Sequence, residues 1–147
     1  MKLAFLAFIA GAAITTQASM NAQLGVLLKS SLLGTSVAFV LSALFTLLAV
    51  VVTTKNYPQL ATVQAIPVYL WFSGGAIAAF GVGMYYFLIP KMGVGPMMSY
   101  ALAGQLVLAI VASHFGWFDM PVQQIDCMKI IGMLAFIAGV ILINIEQ

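Results

Sequence analysis

Among the carboxamides inside the apolar stretches of this sequence, Gln17, Asn21 and Gln105 are the leading candidates for a site. Gln17 and Asn21 are four residues apart, a spacing that puts both on one face of a helix, with Thr16 and Gln23 close by. Gln105 shares a four-residue stripe with Ala101, Ala109 and Ser113. An amide in hydrocarbon is unfavourable unless it finds a partner or water, so all three should look into a helix bundle. A carboxamide offers two donors and an acceptor, which suits a neutral or zwitterionic solute. The same groups could equally bond one another and merely fasten helices. Ser99 and Tyr100 add hydroxyls, and complete the candidate substrate-binding set of Gln17, Asn21, Gln105, Ser99 and Tyr100. Tyr85 and Tyr86 could join them, but the membrane interface is the favoured place for both, as for Trp71, Trp117 and Phe118. His114 is read as a solvated or capping histidine.

Other chemistry lacks the residues it needs. Of 147 residues 64% are apolar and 5% charged, with five lysines, three acids and no arginine; ordinary soluble domains are roughly 25% charged. Scattered lysines do not form the cationic cluster a nucleic-acid partner requires. Asp119, Asp126 and Glu146 all lie outside the apolar runs, so no carboxylate is available at membrane depth to hold a proton or an organic cation. Metal-ligand spacing, a glycine-rich phosphate loop and a nucleophile paired with a base are all missing, and neither catalysis nor a cofactor is expected. Cys127, the only cysteine, reads as a small apolar helix residue.

The elements that position these groups follow from the apolar runs, at about 20 residues per bilayer span. Five spans are expected, over residues 3–25, 33–52, 67–89, 96–113 and 127–145, forming one transmembrane domain. Thr53 to Pro58 end the second, Pro67 opens the third, Pro90-Lys91 close it, and Asp126 is placed to cap the fifth. Residues 1–20 also carry features of a secretory signal, but apolar character resumes after Asn21 and the segment is read as a retained first helix. Five crossings put the termini on opposite faces, with Lys2, Lys55 and Lys129 on one and Lys29 and Lys91 on the other. That split is a weak orientation signal, of the kind expected from a chain that inserts both ways or pairs with an oppositely oriented partner.

Helices in lipid associate through small residues that let backbones approach. Gly34, Ala38, Ser42 and Thr46 repeat at four-residue spacing, as do Gly75, Ala79 and Gly83, with Gly132, Ala135 and Gly139 on one side of the last span. Gly34, Gly75, Gly83, Gly132 and Gly139 are therefore expected to pack helices.

Gln17-x3-Asn21-x2-Leu24, Phe39, Gly74-Gly75, Pro90-x2-Gly93, Gly104-Gln105-Leu106, His114-Phe115-Gly116, Gly132 and Ala138-Gly139-Val140 occur in an order and spacing that resembles the YdcZ-type five-helix group of the drug/metabolite transporter superfamily. The sequence departs from that pattern at Ser42, where Gly is usual, and at Ser113, where an Asp often stands. The resemblance implies an all-α integral membrane protein of the bacterial cytoplasmic (inner) membrane, with five transmembrane helices that are half of a ten-helix inverted-repeat transporter. A second copy inserted upside down, or a sister five-helix protein, would then complete it. The expected function is secondary transport, as exporter or facilitator, of a small neutral, zwitterionic or amphiphilic solute by an antiparallel dimer. The alternatives are a lipid or amphiphile translocase and a non-transporting membrane scaffold subunit. Solute and membrane lipid are the remaining expected partners, with no metal.

Overall fold

A computed structural model describes residues 1–119 and 121–145; the acid Glu146 lies outside them. The described chain is helical, with no strand among these residues: α1 (Lys2–Leu27), α2 (Ser31–Thr53), α3 (Leu60–Gln64), α4 (Val68–Met92), α5 (Val94–Phe115), a 3₁₀ turn (Trp117–Asp119) and α6 (Cys127–Asn144). All but α3 and the 3₁₀ turn are long and apolar enough to cross a membrane. The shortest of the five, α6, has 18 residues, about 27 Å at 1.5 Å per residue, against a hydrocarbon core of about 30 Å. The all-α, five-span reading of the sequence is thus the observed fold class.

The chain forms two compact units, Met1–Lys91 and Met92–Gln147. In the first, α1 and α2 are a helical hairpin. The end of α1 closes with the Lys29 N–H bonded to the Val26 carbonyl and the Ser30 N–H to the Gly25 carbonyl, the paired bonds of a Schellman cap. The residue at its left-handed position is Lys29, with φ 54°. Ser30 then caps α2, its Oγ accepting from the Leu33 N–H at 3.3 Å. The two helices cross at glycine: a Cβ on Gly34 would lie 2.9 Å from Gly25 Cα and 3.1 Å from the Asn21 carbonyl oxygen. Only hydrogen at position 34 permits that approach. Ala18, Ala22 and Gly25 are the buried residues of α1 and Gly34, Thr35 and Ala38 those of α2, and the rest of the Gly34 stripe, Ser42 and Thr46, is exposed.

Between α2 and α4 the sequence reads as a polar loop, and within it Leu60–Gln64 coil into a short helix. The sequence reading stops the third span at Ile89, yet α4 continues through Pro90 to Met92. Proline lacks the N–H that would serve the carbonyl of Tyr86, but in a last turn this removes one bond and the helix can finish. Tyr86 and Ile89 are the buried residues of α4.

In the second unit α5 packs on α6. Pro96 sits in the first turn of α5, where a missing N–H is tolerated, and the helix therefore begins at Val94, ahead of the expected start at Pro96. It ends at Gly116 in the left-handed conformation, φ 61°. Asp126 caps α6, with Oδ1 accepting from the Lys129 N–H at 2.8 Å, while Lys129 Nζ donates to the Gln124 carbonyl at 2.7 Å. The preceding loop is tied back to α5 by the Gln123 N–H on the Ser113 carbonyl, 2.9 Å, and the Ile125 N–H on His114 Nδ1, 3.3 Å.

Candidate functional site

The four-residue spacing of Gln17 and Asn21 has the consequence expected on a helix: Asn21 Nδ2 donates to Gln17 Oε1 at 2.8 Å. A third group joins them from α4. The Tyr86 hydroxyl accepts from Asn21 Nδ2 at 3.0 Å and donates to Gln17 Oε1 at 3.1 Å, closing a ring of three hydrogen bonds between α1 and α4. Tyr86 is 2% exposed, so the expectation that it sits at the membrane interface is corrected. Its position near the end of α4 is what suggested an interface residue; its hydroxyl instead turns to the amides of α1.

The ring uses one atom of each amide. Gln17 Nε2, a donor, and Asn21 Oδ1, an acceptor, take no part in it. Gln17 is exposed and Asn21 half-buried, so an uncharged donor and an uncharged acceptor are left over on a pair tied by hydrogen bonds. Gln17 is ten residues from the end of α1 at Leu27, about 15 Å along the axis, the depth of the middle of a bilayer core. Such a pair can orient a neutral or zwitterionic group without the desolvation cost of a buried charge.

Neighbouring hydroxyls are committed elsewhere. Thr16 Oγ1 donates to its own helix at the Ala12 carbonyl, 2.9 Å, and Ser19 Oγ to the Thr15 carbonyl, 2.8 Å; Gln23 is exposed. Of the remaining candidates, Ser99, Tyr100 and Gln105 lie on α5 in the second unit. Ser99 Oγ donates to the Pro96 carbonyl at 2.9 Å and accepts from Asn144 Nδ2 at 2.8 Å, a clamp between α5 and α6. Asn144 Nδ2 also donates to the Val140 carbonyl, and its buried Oδ1 has no partner among the described residues. Tyr100 is half exposed, and Gln105, exposed along α5, is not an unpartnered group.

The packing glycines divide. Gly34 is at the helix crossing, and a Cβ on Gly83 would stand 3.7 Å from Thr35 Oγ1. Around Gly75, Gly132 and Gly139 the chain itself places nothing within 4 Å.

A family of membrane proteins described as "Putative inner membrane exporter, YdcZ" matches residues 3–142, which reaches into all five long helices and includes Gln17 and Asn21. The chain belongs to the YdcZ family. It is accordingly a multi-pass inner membrane protein of a transporter family, the assignment to which the residue pattern pointed. No curated protein and no solved structure matches it. Within the YdcZ chain, the partner sequence reasoning missed is Tyr86. Its only sequence signal is a hydroxyl-bearing aromatic in a helix that also carries a glycine stripe.

Proposed function

We propose that this YdcZ protein is a secondary transporter, exporter or facilitator, of a small neutral, zwitterionic or amphiphilic solute, and that Gln17 and Asn21 orient it by hydrogen bonds. The observation that carries this reading is the Gln17–Asn21–Tyr86 ring, which holds two uncharged amides in fixed positions at membrane depth and leaves one donor and one acceptor outside it. The working unit would be an antiparallel dimer, or a pair with a sister five-helix protein, giving the inverted repeat that alternating access uses. Support for a partner comes from the open faces around Gly75, Gly132 and Gly139, since small residues in spans favour helix contact.

The test is a melting-temperature screen of the purified protein against a panel of neutral, zwitterionic and amphiphilic solutes, because a bound solute stabilises the folded state. For a solute that raises the melting temperature, Gln17→Ala and Asn21→Ala should each weaken binding about 5- to 150-fold, from about 1–3 kcal/mol per unpaired polar group. Stability should fall less, because in Asn21→Ala the Tyr86 hydroxyl still donates to Gln17 Oε1. Variants that lose stability while binding the solute as tightly as before would overturn the proposal and leave the amides as fasteners of a non-transporting subunit.

A further inference from the structure

At the end of the first unit where α1 turns into α2, a cavity of about 370 Å³ opens between that turn and the last turns of α4. Small-molecule sites span about 300–1,000 Å³, so this one is large enough for a compact head group. Lys29 comes to it from the turn and Lys91 from the last turn of α4, with Ser30 beside Lys29 and with Leu32, Tyr86 and Phe87 forming apolar walls. Lys91 Nζ rests 3.6 Å from the centroid of the Phe87 ring.

The charges around this cavity are one-sided. All three acids of the sequence, Asp119, Asp126 and Glu146, fall after residue 91, so the first unit holds Lys2, Lys29, Lys55 and Lys91 and no carboxylate. Two ammonium groups on one cavity repel each other unless an anion lies between them. The first turn of α2 also faces it, and the N–H groups of Ser31 and Leu32 have no acceptor within the helix. Lys29 itself stands in the left-handed conformation, φ 54°, which glycine adopts freely. A group bearing several charged oxygens with an apolar tail matches cations, N–H donors and apolar walls together. At the end of a membrane-spanning helix hairpin, the group with that chemistry is a phosphate ester.

We infer that the Lys29–Lys91 cavity binds the phosphate of an anionic head group, either of a bilayer lipid or of a soluble phosphate ester. The inference does not rest on the transport reading, because phosphate binding at these lysines would stand even if the amides proved to be fasteners.

Binding is measured on the purified full chain in a neutral detergent with dioctanoyl phosphatidylglycerol and dioctanoyl phosphatidylcholine as probes, and with glycerol 3-phosphate as competitor. The anionic lipid should bind about tenfold or more tightly than the zwitterionic one, and increasingly weakly as salt is raised. Lys29→Gly, whose backbone suits glycine, and Lys91→Gln should each weaken it about fivefold. Lys55→Gln, at an exposed position outside the cavity, should change nothing. Displacement by glycerol 3-phosphate would identify a soluble phosphate ester as the ligand, and retention of the anionic lipid against it would identify the bilayer head group. Equal binding of the two lipids, or a loss in Lys55→Gln as large as in the cavity variants, would overturn the inference. If Lys29→Gly fails to fold, Lys91→Gln alone decides it by the same comparison.

Discussion

Replacing Tyr86 by phenylalanine removes one oxygen from the ring of hydrogen bonds and nothing else. The aromatic ring, 2% exposed, keeps its packing. Two bonds are lost, from Asn21 Nδ2 at 3.0 Å and to Gln17 Oε1 at 3.1 Å. The third, between Asn21 Nδ2 and Gln17 Oε1 at 2.8 Å, remains, so neither atom is stranded and the penalty of about 1–3 kcal/mol for an unpaired buried group does not apply. Side-chain hydrogen bonds between membrane helices average about 0.6 kcal/mol, which makes the expected loss about 1 kcal/mol. Tyr86→Ala also removes the ring and should cost about 3–5 kcal/mol. Both values can be read from unfolding in mixed micelles of increasing dodecyl sulfate content, followed by circular dichroism, with Tyr69→Phe as a half-exposed control expected to change stability little. The reasoning fails if Tyr86→Phe is as damaging as Tyr86→Ala, or if it is as harmless as the control.

Two further outcomes test the packing and the capping. Gly34→Ala should destabilise by about 1–3 kcal/mol, because its Cβ would meet backbone of α1 that cannot yield, whereas Gly75→Ala should leave the unfolding of the chain unchanged, and Gly75→Leu should weaken the proposed dimer, read by size-exclusion chromatography. Asp126→Ala should cost about 0.5–2 kcal/mol through loss of the α6 cap, while Asp126→Asn, which keeps an acceptor for the Lys129 N–H, should cost less in the same assay.

The sequence revealed most where the physics is local. Apolar runs of bilayer length show themselves in composition, and the Asp126 cap needs only an acceptor at the start of a helix. The Gln17–Asn21 pair follows from helical spacing. Tyr86 could not be read in the same way, because its bonds to Asn21 and Gln17 span 65 and 69 residues and depend on which face of α4 meets α1. An aromatic residue with a hydroxyl near a helix end satisfies the interface pattern and the buried-donor pattern alike, and only the partners brought to it by the fold decide between them. The proline at position 90 misled in a similar way. Its ring ends a helix in the interior, but two residues from the terminus at Met92 it removes one bond and leaves little helix to break. Ser99 looked available as a hydroxyl on an apolar helix, whereas its partner Asn144 lies 45 residues away.

The central proposal, that Gln17 and Asn21 meet a solute and do not serve only to fasten helices, requires water to reach them and is tested most directly by thiol accessibility in native membranes. With Cys127 replaced by serine, Gln17→Cys is reacted with a charged, membrane-impermeant methanethiosulfonate and compared with Asn56→Cys in the exposed loop and Leu44→Cys on an outward apolar face of α2. The account predicts that Gln17→Cys labels at a rate within about tenfold of the loop position, since only the thiolate formed in water reacts. Labelling as slow as that of Leu44→Cys would contradict it.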